Sequence, residues 1–270
     1  MPLMRKTLPA LLPEPEKIDL RRLAEDCAGG GTELICVLGP TASGKTRYAV
    51  SLARALPFPC EIISADSRQV YRGMDIGTGK DLAEYGGIPF HLIDIADPGT
   101  RYNVHRYCED FASAAADIRS RGAFPILCGG TGLYISAVTC GYDFEHDKPL
   151  SAQPELPSKV FFIGTLVSRE ERNAKIDARL KARLKEGMIQ EVRSLLGGTS
   201  PACGGKPVPA EALISYGLEY KFVTLYLQGV IGEDELYDKL SVAIHQFAKR
   251  QMTWFRGMER SGIRIHWTKV

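Results

Sequence analysis

The eight residues Gly39-Pro-Thr-Ala-Ser-Gly-Lys-Thr46 match the pattern GxxxxGK[ST] in full, between an apolar run and an amphipathic one. In that setting the pattern is a mechanism for holding phosphate. Gly39 and Gly44 let the backbone curl, so the amides of Thr41, Ala42 and Ser43 can converge on one centre. The helix that follows adds its positive dipole end, Lys45 adds a cation, and the Thr46 hydroxyl can hold Mg²⁺. The pattern does not choose the phosphate: a nucleoside triphosphate and any diphosphate of similar charge meet the same donors.

A second apolar run ends in Ile63-Ser-Ala-Asp66. A carboxylate at the end of a strand next to a phosphate loop can serve as a base, or it can simply start a turn, and position alone leaves both open. Two basic stripes accompany it. Arg172, Lys175, Arg179 and Arg183 recur at spacings of three and four beside Ile176, Leu180 and Leu184, which makes either a solvated helix face or a lid over phosphates. In Lys249-Arg-Gln-Met-Thr-Trp-Phe-Arg256, the cations Lys249, Arg250 and Arg256 surround Trp254 and Phe255, with Gln251 and Trp254 on one side of the expected helix. That mixture suits contact with a polynucleotide backbone as well as core packing.

The elements that must position these groups follow from periodicity. Strands are expected over Leu34–Leu38, Cys60–Ser64, Phe90–Ile95, Phe124–Cys128 and Val160–Val167, each apolar on both faces. Helical patterns over Thr46–Ala55 and Val104–Arg121 alternate with them, predicting a doubly wound parallel α/β sheet with ligands at the carboxyl ends of its strands. Beyond Val167, the capping sequence Ser168-Arg-Glu-Glu171 opens a helix expected to reach Leu196 with a break at Gly187. Gly197–Pro209 reads as a loop, two further helices span Ala210–Gln228 and Glu233–Met258, and a strand lies at Arg264–Trp267. Residues 1–32 read as an N-terminal extension with a short helix over Asp19–Cys27, and residues 33–270 as one domain.

Composition bounds the function. The 270 residues are 44% hydrophobic and 24% charged, with a net charge of +2, so binding of nucleic acid must rest on local patches. Seven cysteines without a CxxC pair suit reduced thiols in a cytosol better than disulfides or a zinc site. No stretch approaches a membrane span, and the five histidines have no ligand spacing; His91 and His266 are expected to be structural.

Five motifs in order carry a family resemblance: the Gly39–Thr46 loop; Ser64-Ala-Asp-Ser-Arg-Gln-Val-Tyr71; His91-Leu-Ile-Asp-Ile95 with Asp97-Pro98; Gly129-Gly-Thr-Gly-Leu-Tyr134; and Lys249–Arg256. From Glu33 to Trp267 the chain resembles the tRNA dimethylallyltransferases, P-loop-type α/β enzymes with additional C-terminal helices. The resemblance implies transfer of a dimethylallyl group from dimethylallyl diphosphate to N6 of the adenine 3′-adjacent to the anticodon. It makes Asp66 the general base, with Lys45 and Thr131 beside the reacting atoms. Ser67, Arg68, Gln69 and Thr131 become contacts to tRNA, as do Lys249, Arg250, Gln251, Trp254 and Arg256. The phosphate loop, with Lys175, Arg179 and Lys221, would take the isoprenoid diphosphate, with Mg²⁺ as cofactor at Thr46. A cytoplasmic monomer is expected.

The chain departs from that family in two places. Lys175 and Lys221 stand where relatives often carry arginine, and Glu219 where they carry glycine; lysine keeps the charge but not the two-pronged donor geometry. The helical insertion usual after Tyr134 is reduced to a loop at about 139–158. Two other enzymatic readings remain. A P-loop small-molecule kinase, with Arg169, Arg172 and Lys175 as lid and Asp94 near the metal, leaves Asp66–Tyr71 and Lys249–Arg256 without a role. An isopentenyltransferase on free adenine nucleotides fits the short insertion but needs no extended basic-aromatic helix. A non-catalytic RNA-binding module would leave the phosphate loop unused.

Overall fold

The computed structural model describes residues 13–143, 148–149 and 157–270. Its centre is a six-stranded sheet in the order β3-β2-β4-β1-β7-β8, with every neighbouring pair parallel. The strands are β1 (Leu34–Leu38), β2 (Cys60–Ala65), β3 (Phe90–His91), β4 (Phe124–Gly129), β7 (Val160–Leu166) and β8 (Ile265–Lys269). A separate antiparallel pair joins β5 (Tyr142–Asp143) to β6 (Lys148–Pro149). This pair lies within the expected loop at about 139–158, which begins in the last turn of a helix ending at Cys140 and of which residues 144–147 and 150–156 lie outside the described residues.

Alternation along the strands divides the core. Leu34, Cys36 and Leu38 of β1 join one apolar cluster, and Ile35 and Val37 join the other. A run apolar at every position thus serves two layers, because successive side chains leave the sheet on opposite faces. One layer holds α1 (Leu20–Ala28) and α2 (Lys45–Ala55). The other holds α3 (Val104–Ser120), α4 (Gly132–Cys140) and the C-terminal helices α5 (Arg169–Glu186), α6 (Met188–Leu196), α7 (Ala210–Ser215), α8 (Leu218–Leu227) and α9 (Glu233–Arg260). No helix among the described residues is long and apolar enough to cross a membrane.

Two boundaries differ from the periodicity. β3 stops after His91, because Leu92 and Asp94 take positive φ (61° and 57°) and the chain turns so that the Asp94 and Ile95 amides donate to the Gln69 and Val70 carbonyls (3.1 and 2.9 Å). The single helix expected over Ala210–Gln228 is two, divided where Gly217 takes φ 75°. The break expected at Gly187 is present, with φ 105° between α5 and α6.

Residues 13–32 are integrated with the domain, although they read as an extension; residues 1–12 lie outside the described residues. Asp19 caps α1 by accepting the Arg22 amide (3.1 Å), and Leu23, Ala24 and Cys27 are buried in the second apolar cluster. The Glu16 amide donates to the Trp267 carbonyl (2.6 Å), and His266 meets the Glu16 carboxylate (2.8 Å) while stacking on Phe161. His91 likewise has a structural partner, Glu61, at 2.6 Å.

Leu23→Ala removes a side chain only 3% exposed and should lower stability by about 2–4 kcal/mol in urea unfolding. An appended, independent helix would show no change.

Candidate active site

All six strands of the main sheet run one way, so the segments leaving β1, β2 and β4 emerge on one edge. β1 leads into the phosphate loop. Ala42 (φ 60°) and Gly44 (φ 79°) take left-handed conformations there, and α2 starts at Lys45. The loop is held from behind and above. Thr165 of β7 donates to the Ser43 hydroxyl (2.6 Å), and the Thr41 amide donates to Oε1 of Gln251 on α9 (2.8 Å). Nε2 of the same Gln251 donates to the Gly130 carbonyl (2.8 Å), so one buried amide side chain joins the loop after β1 to the loop after β4.

β2 ends at Ala65, and Asp66 follows it. The Asp66 carboxylate accepts the Arg68 amide (3.0 Å) and faces a cavity of about 90 Å³. Lys45, Thr46, Gln69, Glu84 and Arg179 line that cavity as well. Burial pulls the Lys45 ammonium below the usual lysine value and Arg179 adds to the pull, while Asp66 and Glu84 favour its charge. An anion entering the cavity would do the same more strongly. Burial also raises the Cys128 thiol, at the end of β4, to about 12 despite Lys45 and Thr46 nearby, so it stays protonated.

The gap between Asp66 and the phosphate loop is spanned by Gly129-Gly130-Thr131. A Cβ on Gly129 would lie 2.3 Å from the Ala65 carbonyl oxygen, so only glycine lets β4 end this close to β2. Thr131 places the Asp66 segment: its amide donates to the Ala65 carbonyl (3.0 Å) and its hydroxyl accepts the Ser67 amide (3.0 Å).

A third wall comes from the turn at residues 75–80. The Glu191 carboxylate of α6 accepts the consecutive amides of Asp75, Ile76 and Gly77 (2.8, 2.7 and 3.0 Å), together with the hydroxyl of buried Tyr220 (2.6 Å). The Lys80 ammonium is buried beneath the turn and donates to the Tyr71 carbonyl and to Asp75 and Asp94. The Gln69 amide reaches the Gly79 carbonyl (3.4 Å).

Of the residues singled out by sequence, Thr41, Ala42, Gly44, Lys45, Thr46, Asp66, Arg68, Gln69, Arg179 and Gln251 line this cavity. Gly39 and Ser43 lie behind the loop, and Ser67 and Thr131 brace the Asp66 segment. Lys175 and Lys221 do not face the cavity. The Lys175 ammonium is tied along its own helix to Glu171 (2.7 Å). Lys221 is exposed over Phe222, because two residues along a helix is about 200° of rotation and Glu219 takes the inward direction. Arg183 takes the inward place one turn beyond Arg179, a position its spacing of four already marked. Glu84 and Glu191 carried no sequence signal, and Glu219 only its departure from the glycine of relatives, since each acts through a partner far away in the chain.

On α9, Lys249 and Arg250 are exposed, with Arg250 over the Phe247 ring at 6.0 Å, and Arg256 is half-buried. Gln251 is buried with both ends of its amide engaged and lines the cavity from within. Trp254 is 42% exposed and donates to the Ser136 hydroxyl (2.9 Å), so one face packs on α4 and the other is open.

Comparison with known proteins agrees with this arrangement. A family model described as IPP transferase matches residues 69–158 and 144–258, and one described as isopentenyl transferase matches residues 32–85. The chain is 46% identical to tRNA dimethylallyltransferase 1 of Parabacteroides distasonis, over 87% of this chain and 92% of that one. It is also 46% identical to tRNA dimethylallyltransferase 2 of Porphyromonas gingivalis, over 87% and 93%. Its fold is similar to that of the tRNA isopentenylpyrophosphate transferase of Bacillus halodurans, with a TM-score of 0.73 and 28% identity over 88% of this chain and 89% of that one. A phosphate loop and a strand-end carboxylate opening on one cavity, in a chain this similar along nearly its whole length, lead to one assignment: it belongs to the tRNA dimethylallyltransferase family.

Proposed function

We propose that the protein transfers a dimethylallyl group from dimethylallyl diphosphate to N6 of the adenine 3′-adjacent to the anticodon of tRNA, releasing diphosphate. The observation that carries this reading is the single cavity shared by the Asp66 carboxylate and the Lys45–Thr46 end of the phosphate loop.

The chemistry divides between those two sides. The N6 lone pair is delocalised into the adenine ring and attacks poorly. Asp66 accepts the N6 proton as the new C–N bond forms, a contribution of about 10²–10⁴-fold for a positioned base. On the other side the allylic C–O bond breaks and its electrons pass to the diphosphate. Lys45, Arg179 and the loop amides stabilise that charge as it builds. No covalent enzyme intermediate is needed.

Mg²⁺ suits the donors present. Thr46 lines the cavity beside Asp66 and Glu84, and no cluster of three or more metal-ligating side chains exists among the described residues. Few protein ligands, with phosphate oxygens and water completing the shell, is the habit of magnesium. When bound, the ion would neutralise leaving-group charge.

We assign the exposed face of α9, with Lys249, Arg250 and the open side of Trp254, to the tRNA. A short insertion after Tyr134 supports giving this helix a large share of the grip. The alignment with the Parabacteroides relative runs over 291 positions while taking in 87% of a 270-residue chain, so that relative carries residues this chain lacks. An exposed basic face also favours tRNA over a free adenine nucleotide as acceptor.

Asp66→Asn should lower single-turnover transfer to tRNA by about 10²–10⁴-fold while tRNA affinity stays within about twofold. Near-normal transfer by that variant would remove Asp66 from the role, and prenylation of AMP in preference to tRNA by the unaltered protein would replace the acceptor. Chelation of Mg²⁺ by EDTA should abolish transfer, and added Mg²⁺ should restore it. Replacing Lys249 and Arg250 together with glutamine should weaken tRNA binding and flatten the slope of log K against log [salt] by about one to two. Diphosphate affinity should not change in that variant; an unaltered salt slope would move the tRNA to another face.

A further inference from the structure

Glu219 belongs to neither wall of the cavity, yet it touches both. The positive φ of Gly217 (75°) starts α8 at an angle that drives the Glu219 side chain inward until it is 3% exposed. Its Oε2 lies 2.5 Å from Nη1 of Arg68, and its Oε1 lies 3.2 Å from Nη1 of Arg183. Arg68 belongs to the acceptor side, since its own amide holds Asp66. Arg183 belongs to the diphosphate side: it extends from α5 next to Arg179 and also donates to the Gly77 carbonyl (3.3 Å).

Burial opposes the Arg68 charge, but Glu219 and Asp66 outweigh it and strengthen the hold on its proton. For Arg183, burial together with neighbouring Arg179 wins, and its value falls to about 10. The Phe247 ring lies 5.5 Å from the Arg68 guanidinium and closes off the same corner. One carboxylate between two guanidiniums leaves the cluster a net charge of +1. Such a buried group is tolerated only when each oxygen has a donor, as here.

We propose that Glu219 is a positioning residue that couples the two halves of the reaction site. Through Arg68 it holds the Asp66 segment in place for proton acceptance. Through Arg183 it engages one guanidinium at the cavity wall, leaving Lys45 and Arg179 as the lining cations that meet the diphosphate first. This inference rests on the reading proposed above. Its consequence is specific: removing the Glu219 charge frees two guanidiniums toward the phosphates while loosening the base. Diphosphate should then bind more tightly as transfer slows, whereas simple loss of packing would weaken both.

The test compares unaltered protein with Glu219→Gln in single-turnover prenyl transfer to tRNA and in direct binding of inorganic diphosphate with Mg²⁺. We expect transfer to fall by about tenfold or more and diphosphate to bind about threefold tighter or better. Should the lone substitution fail to fold, with two buried cations short of a counter-charge, Glu219→Gln with Arg183→Gln keeps the charge balance. In that double variant diphosphate affinity should return toward the unaltered value while transfer remains slow, because Arg68 is still unpinned. Weaker diphosphate binding in Glu219→Gln, or full transfer in the double variant, would overturn the coupling. The binding measurement needs no turnover. An unaltered protein that binds diphosphate but prenylates nothing would therefore count against the proposed reaction, while the shift in affinity still decides the role of Glu219.

Discussion

The spacing of parallel strands sets the reach of this site. β1 and β2 are separated only by β4, so the phosphate loop and Asp66 start two strand spacings apart, about 10 Å. That gap suits an allylic diphosphate at one end and a base receiving its amine at the other. It stays open because β4 ends in Gly129 and Gly130 follows it, which put no side chain between them, and Thr131 then anchors the far bank. A larger residue at Gly129 would collide with the Ala65 carbonyl and push the banks apart. The sheet thus sets the distance, and the loops at its edge are fitted to that distance.

Around the gap, polar side chains carry the work usually done by packing. Gln251 joins two loops with the two ends of one amide, Glu191 gathers three consecutive amides of the 75–80 turn, and Lys80 fills the space beneath that turn. These are buried or half-buried groups whose hydrogen bonds are made internally, which keeps them from being a liability in a low-dielectric interior. Glycine-rich turns have little apolar surface to bury, so their shape has to come from directional bonds. The C-terminal helices supply those bonds, and this explains why helices remote in sequence from the phosphate loop belong to the same site.

The cations around the cavity are graded by their partners. Lys45, Arg68, Arg179 and Arg183 all line it, but Arg68 and Arg183 are held by Glu219, and Lys175 and Lys221 point away along their helices. A basic stripe is therefore a poor count of the charge an anion meets. What matters is which cations lack a carboxylate at hydrogen-bonding distance, since a paired guanidinium in a buried corner has little left to offer.

Much of this was legible in the residues alone. The phosphate loop, the carboxylate ending the second strand and the parallel α/β architecture follow from local pattern, because a turn type, a strand period and a helix start are each decided within a few residues. The break at Gly187 and the cap at Ser168 were readable for the same reason. The roles of Gln251, Glu191 and Glu219, the early end of β3 and the outward turn of Lys221 were not. Each depends on a partner more than twenty residues away or on a positive-φ residue whose cause lies in tertiary contact. Sequence by itself determined which chemistry the chain carries and on which edge of a sheet it must lie. Only the tertiary structure decided which charges remain open to a substrate, because pairing of buried charges is set by the approach of distant helices, and spacing along the chain does not encode that approach.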